Sequence, residues 1–342
     1  MICTTTPNTL DQLSAQLDLG WDLVERGDIA GALATAKETV RTTPESPEAL
    51  HFLAHVTMLS GDAPEALELF EKALEIDEDY FEAMLGAAEV LLSPLGEHER
   101  ALSMCDEALS VAVDATEETD CLLLKVDILL AKGDEEAALR TLKRVKAEAL
   151  TLPGQALAAG RAYFDLGKSA EAAPLLKQAL TLDDHSADAH YYAGLAAEER
   201  GDEAGTVFHF LRAREIELSS PGPAWTLRGE QLRGLVESVI ARRAPDVSKL
   251  ASRIDVFVVD MPGPEIVADG ADPFTTCVLD LPGDGQARVF VYQRNLERTA
   301  GSPDRIEEEL ERAFTRELEH ISQVHSYGPA SSRPSLGSEE LQ

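Results

Sequence analysis

The sequence is poor in aromatic residues and in basic residues. Phe, Trp and Tyr make up 5% of the 342 residues, and 30 Lys and Arg stand against 62 Asp and Glu, for a formal net charge of -32. Proteins that bind nucleic acid or anionic membranes unaided contact phosphates through Lys and Arg, so this composition argues against both classes. It favours a basic protein partner, or an acidic surface that serves only solubility.

Cysteines and long apolar runs are scarce as well. The four cysteines are Cys3, Cys105, Cys121 and Cys277, and none forms a CxxC pair. This spacing indicates reduced thiols, with Cys105 and Cys121 packed as small apolar side chains inside helices. No stretch is apolar enough over a sufficient length to span a bilayer, and residues 1–8 lack the basic start and apolar core of a signal peptide. We therefore expect a cytoplasmic protein.

What the sequence does contain is a glycine that returns with a regular period. It stands at Gly27, Gly61, Gly96, Gly133, Gly167 and Gly201, with gaps of 34, 35, 37, 34 and 34 residues. A period of this length predicts a solenoid, in which each unit buries its apolar face only against its neighbours.

Aligned on the glycines, the units cover 13–46, 47–80, 81–115, 119–152, 153–186 and 187–220. A small residue recurs where two helices must approach closely, at Ala32, Ala66, Ala101, Ala138 and Ala172, with Thr206 in the sixth unit. Four residues later every unit has an apolar side chain: Ala36, Phe70, Cys105, Leu142, Leu176 and Phe210. This pattern resembles the tetratricopeptide repeat family. Two local departures are an insertion around residues 93–95 and a predicted linker at residues 116–118.

The resemblance implies that the first helix of each unit lines a concave binding groove. By register, sixteen residues would line it: Leu17, Trp21, Glu48, His51, His55, Met58, Glu82, Leu85, Asp120, Leu123, Asp127, Leu157, Arg161, Phe164, Asp188 and Tyr191. Together they predict an apolar floor with an acidic edge. Such a groove suits a peptide segment with apolar anchors beside Lys or Arg.

Two features of this groove have alternative interpretations. The Leu residues could be ordinary inter-helix core, or could be covered by the C-terminal part of the same chain. His51 and His55 are spaced i, i+4 and could hold a metal, but no third ligand is evident, which favours a polar role in the groove.

After residue 220 the period stops. We expect a lead-in at residues 1–12, the repeats at 13–220, an α+β domain at 225–326 and a disordered tail at 327–342. Within the α+β domain the patterns predict a helix, three strands, a short helix and a long helix that Ser302 caps, at 227–243, 254–259, 274–281, 287–292, 295–298 and from 302 onward.

This order of elements resembles the small bacterial zincin-like metallopeptidase family. The likeness rests on Val256–Asp260, Asp272–Phe274, Arg288–Arg294 and the helix from Pro303 to His320. In that family the helix carries His-Glu-x-x-His, whose imidazoles bind zinc while the Glu is the general base. The present helix reads Arg316-Glu317-Leu318-Glu319-His320.

Arg316 therefore stands where the family has its first zinc ligand, and a guanidinium has no lone pair to donate. Gln323 replaces the helix-ending Gly, and Ser326 replaces the acidic third ligand. The resemblance implies a vestigial site with no metal and no cofactor, in which Arg316 pairs with Glu319. The alternatives are a chance resemblance and a surviving hydrolase that uses His320, Glu317 and His325.

The patterns predict a mainly α protein with an α-solenoid followed by a small α+β domain. The two resemblances imply that the solenoid is tetratricopeptide-like and that the α+β domain is zincin-like and catalytically inactive. The expected function of the protein is that of a bacterial adaptor or scaffold. The alternatives are a zinc-dependent metallopeptidase to which the repeats deliver substrate, and a chaperone that shields apolar segments.

Overall fold

The computed structural model describes residues 9–223, 225–243, 253–282 and 285–327, with side chains from residue 12 to residue 321. The chain divides into two compact units, Met1–Leu182 and Asp183–Gln342. The predicted lead-in at 1–12 lies largely outside the described residues, and the predicted tail lies outside them from residue 328 onward.

The first unit consists of consecutive helical hairpins. Its helices are α1 (Thr9–Glu25), α2 (Ile29–Thr42), α3 (Pro47–Leu59), α4 (Ala63–Ile76), α5 (Phe81–Leu92), α6 (His98–Val111), α7 (Ala115–Ala131), α8 (Glu135–Leu142), α9 (Pro153–Asp165) and α10 (Ser169–Leu182). Each helix packs on the next through most of this series. The predicted linker at 116–118 is wrong, because these residues form the first turn of α7. Asp114 caps that turn by accepting hydrogen bonds from the backbone N–H groups of Thr116 and Glu117, at 2.8 and 3.0 Å.

The recurring glycine follows the last residue of the first helix by two positions in five hairpins, and by four positions at Gly96, which comes after Leu92 of α5. Gly61 has φ +92° and donates its N–H to the Met58 carbonyl at 2.9 Å. The next residue, Asp62, then caps α4 by accepting a hydrogen bond from the Glu65 N–H at 3.2 Å. The other five repeat glycines also have positive φ. The period in the sequence is therefore a period of left-handed glycines between the two helices of each hairpin.

Gly61→Ala is expected to lower the free energy of unfolding by about 1 kcal/mol. A Cβ at Gly61 would meet no atom within 4 Å, so the loss comes from backbone strain alone. Gly154→Ala is the matched control, since Gly154 lies in α9 without positive φ and its Cβ would also meet nothing. Chemical denaturation followed by circular dichroism checks both, and equal midpoints would contradict the strain at Gly61.

The core lies where the periodic small and apolar residues predict it. The five periodic alanines are fully buried, and the apolar position four residues later is at most 2% exposed in every repeat. Large rings fill the space over glycines of neighbouring helices: a Cβ added at Gly86 would lie 2.4 Å from Cζ of Phe70. Glycine at this place lets the Phe70 ring lie directly on the backbone of α5.

The second unit joins one more hairpin to a small sheet. It contains α11 (Ala187–Glu199), α12 (Glu203–Ser219), α13 (Gly229–Arg242), β1 (Arg253–Val259), α14 (Pro264–Ala268), β2 (Cys277–Asp280), β3 (Gln286–Tyr292), α15 (Gln293–Ala300) and α16 (Ile306–Tyr327). The strand order is β1-β3-β2, with β1 parallel and β2 antiparallel to β3. The three predicted strands are confirmed, whereas α14 lies in a segment without a helical pattern.

α13 and α16 cover the apolar side of this sheet. Leu232 and Val236 of α13 and Leu310 and Phe314 of α16 are buried in one cluster with Val289 of β3. The prediction that the Ser302 side chain caps the long helix is wrong. Ser302 has the extended backbone of an N-cap, but its side chain makes no capping hydrogen bond. A short 3-10 turn at Pro303–Arg305 separates Ser302 from α16. No helix among the described residues is long and apolar enough to cross a membrane.

Candidate functional site: the first-helix face

The first helices of the hairpins in the first unit form one continuous row. α1 contacts α3, α3 contacts α5, α5 contacts α7, and α7 contacts α9. We call the exposed side of this row the first-helix face. It carries fourteen of the sixteen residues predicted for the groove: Leu17, Trp21, Glu48, His51, His55, Met58, Glu82, Leu85, Asp120, Leu123, Asp127, Leu157, Arg161 and Phe164.

The apolar members of the first-helix face are partly open to solvent. Leu17, Met58, Leu85, Leu157 and Phe164 are half-buried. Leu123 is only 6% exposed, so it belongs mainly to the core between helices. Most of these side chains therefore remain available to an apolar anchor.

An aromatic cluster occupies the N-terminal end of the face. The Trp21 ring lies 5.0 Å from that of His55 and 6.1 Å from that of His51, and Tyr80 packs edge-on against His51 at 5.6 Å. Burial lowers the pKa of His55, and burial together with His55 lowers the pKa of His51 to about 4. Both imidazoles are therefore neutral at pH 7, and their rings lie tilted at 42° to each other with centroids 6.5 Å apart.

The depressed pKa of His51 predicts a stability loss in acid. The unfolded chain takes up a proton on His51 near its ordinary pKa of 6.5, whereas the folded chain does so only near 4. Between these values unfolding takes up about one additional proton, so stability falls as the pH falls. Denaturation midpoints of wild type and His51→Gln at pH 7 and pH 5 check this, and wild type should lose more. Equal losses would show that His51 titrates normally.

Carboxylates dominate the middle of the face. Partial desolvation and the nearby Asp120 raise the pKa of Glu89. Desolvation raises the pKa of Asp120 too, against the effect of Gln155, whose amide donates to the Asp120 carboxylate at 2.8 Å. Glu89 and Asp120 are thus like charges near enough to raise a carboxyl pKa, and a cation between them would relieve this repulsion.

An ion pair lies further along the same row. Arg161 donates to both carboxylate oxygens of Asp127, at 2.7 and 2.8 Å. The pKa of Asp165 is nevertheless raised, because desolvation outweighs the nearby Arg161. Arg161 thus pairs with Asp127, and its attraction offsets only part of the desolvation of Asp165. Glu48 and Glu82, nearer the aromatic end, are exposed.

The remaining two predicted groove residues, Asp188 and Tyr191, lie on α11 in the second unit. Asp188 pairs with Arg298 of α15, and the Tyr191 hydroxyl donates to Asp272 at 3.0 Å. The Tyr191 ring lies 4.8 Å from that of Phe274, over which the Arg298 guanidinium stacks at 4.0 Å. Residues of the C-terminal region therefore occupy the equivalent surface of the sixth repeat.

The segment Arg316–His320, which the resemblance to zincin-like proteins singled out, lies on α16. Glu317 accepts a hydrogen bond from the Leu279 N–H of β2 at 3.1 Å, while Arg316 and His320 are exposed. The predicted pair of Arg316 with Glu319 is wrong, since no ion pair joins these two among the described residues. Arg316 instead lies near enough to Cys277 to act electrostatically on its buried thiol. The side chains of Gln323, His325 and Ser326 lie outside those that the structure describes.

Consecutive helical hairpins with left-handed glycine ends define the class of this protein as a helical repeat protein. Sequence models of the tetratricopeptide repeat match residues 17–81 and 157–213, and residues 57–116. Within these ranges the repeats predicted from the glycine period are thereby confirmed as tetratricopeptide repeats. No comparison supports the zincin-like identity of the C-terminal region, whose small sheet is nevertheless present.

Solved structures share the repeat fold. PilW, a type IV pilus biogenesis factor, is 19% identical, with 63% of this chain and 96% of that chain covered and a TM-score of 0.51. The APC/C hetero-tetramer Cut9–Hcn1 is 15% identical, with 61% and 40% covered and a TM-score of 0.50. A tetratricopeptide repeat protein from Parabacteroides merdae is 16% identical, with 60% and 78% covered and a TM-score of 0.48. No curated protein matches the sequence.

Proposed function

We propose that this protein is a scaffold whose first-helix face binds a peptide segment of a partner protein. The observation that carries the proposal is the row of half-buried apolar side chains beside carboxyl groups with raised pKa values, at Glu89, Asp120 and Asp165. A Lys or Arg of the partner would relieve their mutual repulsion, while Leu or aromatic anchors would cover Leu85 and Leu157. Repeat solenoids commonly use such extended surfaces for binding.

We assign the C-terminal region a non-catalytic role as the cap of the repeat array. Its contacts with Asp188 and Tyr191 cover the face of the last hairpin. In this proposal the zincin-like region is a folded cap without catalytic activity, because Arg316 cannot bind zinc in place of a histidine. A peptidase assay with added Zn²⁺ checks the non-catalytic role: turnover that His320→Ala abolishes would overturn it and favour the metallopeptidase alternative.

The binding proposal is tested with displayed 12-residue peptides selected on the full-length protein. The selected peptides should combine apolar or aromatic residues with Lys or Arg. Their affinity should fall in the triple variant Glu48→Lys, Glu82→Lys and Glu89→Lys, more strongly at low than at high salt. The matched control reverses three exposed acids away from the face, Glu45, Glu75 and Glu78.

The two charge reversals change the net charge equally, so they separate local from overall electrostatics. A loss confined to the face variant supports the proposal. An equal loss in both variants, or none in either, would contradict a binding role for the carboxylates. A peptide could keep its affinity for the face variant but lose its affinity for a Leu85→Ser, Leu157→Ser double variant. Binding would then depend on apolar contacts alone, which would favour the chaperone alternative.

A further inference from the structure

Two imidazoles meet between the helices of the last hairpin. His190 lies on α11 and is 5% exposed, and His209 lies on α12 and is half-buried. Their Nδ1 atoms are 3.0 Å apart, and the ring centroids are separated by 5.2 Å. The two residues are 19 positions apart, so the sequence shows no metal-ligand spacing here, and neither residue belongs to the first-helix face.

The hydrogen bonds of this pair define its tautomers. Nε2 of His190 lies 3.3 Å from the Asp184 carbonyl oxygen. Because a carbonyl oxygen only accepts hydrogen bonds, Nε2 carries the proton of this imidazole. Nδ1 of a neutral His190 therefore carries a lone pair, and it accepts the 3.0 Å hydrogen bond that Nδ1–H of His209 donates. A metal ion held by both Nδ1 atoms would replace this proton, leaving the proton of His209 on Nε2. Metal-bound histidines typically have this arrangement, in which the far ring nitrogen donates to a backbone carbonyl and the near nitrogen binds the ion.

The separation of the two nitrogens also fits a shared metal ion. With Zn–N distances of 2.0–2.1 Å, two ligands in a tetrahedral site lie about 3.3 Å apart. The observed Nδ1 atoms need to separate by only a few tenths of an ångström to reach that distance. We propose that His190 and His209 form a two-histidine clamp for a divalent transition-metal ion such as Zn²⁺, with Nδ1 of each ring as a ligand and water in the open positions.

Charges around the pair are balanced. Asp184 and Asp202 lie near enough to raise the pKa of His190 and His209 respectively, while Arg212 and Arg200 oppose them. Burial is the largest effect and lowers both pKa values. His185, on the turn before α11, also bears on the His190 charge.

That turn lies beside the clamp. Asp183, Asp184 and His185 place one ligand atom each within 4.8 Å of one another, and all three are exposed. The backbone of Asp184 already bonds to His190. An exposed acidic turn is common without an ion, so the proposal rests on the two buried rings and not on this cluster.

Co²⁺ titration of the tag-free, full-length protein at pH 7.5 tests the clamp. We expect one equivalent to bind, with absorption bands in the visible region that Zn²⁺ then abolishes by displacement. His209→Gln and His190→Gln should each weaken binding at least about 100-fold, since even residues that only orient a ligand contribute 10–100-fold. His320→Ala and the pair His51→Gln with His55→Gln are the controls, and both should bind as wild type does.

A second readout guards against variants that fail to fold. Zn²⁺ should raise the melting temperature of wild type and of His320→Ala, but not that of His209→Gln, whose circular dichroism without metal should match wild type. Absence of a bound equivalent in wild type overturns the proposal. So does binding that survives in both clamp variants, or that depends on His320 instead, which would point to the zincin-like helix. None of these outcomes bears on peptide binding by the first-helix face.

Discussion

Phe70→Ala is expected to lower the free energy of unfolding of the first unit by about 3–5 kcal/mol. The ring is fully buried and lies against the backbone of Gly86 on the next helix, with the His51 ring 5.8 Å away. Its removal leaves a cavity between α4 and α5, and the rigid glycine backbone beside it is poorly placed to fill that space. Urea denaturation followed by circular dichroism, with hydrogen exchange of α3 to α6, measures the effect.

Ile76→Ala is the matched control, because Ile76 lies on the same helix but is 45% exposed. Its loss should stay within about 1 kcal/mol. Gly86→Ala extends the test, since its new Cβ would overlap the Phe70 ring. Combining it with Phe70→Leu should therefore recover part of the loss. Equal effects of Phe70→Ala and Ile76→Ala, or strictly additive Gly86 and Phe70 changes, would show that the ring does not pack on this backbone.

Sequence alone predicted the repeated core because each of its features has a local cause. Gly61 and its counterparts are required by left-handed helix ends, and Asp62 is placed where a helix start needs a cap. Ala66 and Phe70 follow at fixed offsets on the same helix, so burial repeats with the period. These requirements act within a few residues, which is why a single sequence displays them.

The errors and omissions involve contacts that no local pattern encodes. Residues 116–118 read as a linker because their charges hide the helix start that Asp114 caps. The pairing of Arg316 with Glu319 followed from helical spacing, but spacing does not show that α16 brings Arg316 near Cys277. His190 and His209 come together only because α11 folds back on α12. The apolar neighbours of each His in the sequence do not indicate that the two imidazoles meet.

The C-terminal region contains both kinds of feature: strands that a local pattern predicts, and contacts that no local pattern encodes. Its strands were readable from alternation, and their burial follows from the cover that α13 and α16 provide. The sequence raised coverage of the groove by the C-terminal part as an alternative, but it did not show which residues make the contact. That depends on single side chains such as Arg298, which pairs with Asp188 and stacks on Phe274. A groove residue in one repeat can thus be an internal contact in another repeat of the same chain, and register alone does not separate the two.

Arg294→Ala is expected to loosen this contact most strongly, with a loss of about 2–3 kcal/mol in the second unit. The Arg294 guanidinium donates to the carbonyls of Glu217 and Ser220, at 2.6 and 2.8 Å, and so satisfies the C-terminal end of α12. Without it these carbonyls lose a charged donor next to the negative end of the helix dipole. Hydrogen exchange should then quicken in α12 and α14, which pack together.

Arg305→Ala is the control for Arg294→Ala, because Arg305 is exposed and its ion pair with Glu309 is long, at 3.8 Å. Its effect should stay below about 1 kcal/mol. Arg294→Lys separates charge from geometry: an ammonium keeps the charge but lacks the planar fork of a guanidinium, so it should recover only part of the loss. Full recovery would assign the effect to charge near the helix end. If Arg294→Ala left exchange in α12 at the wild-type rate, the last hairpin would be held to the sheet by its other contacts, and Arg294 would not be the residue that joins them.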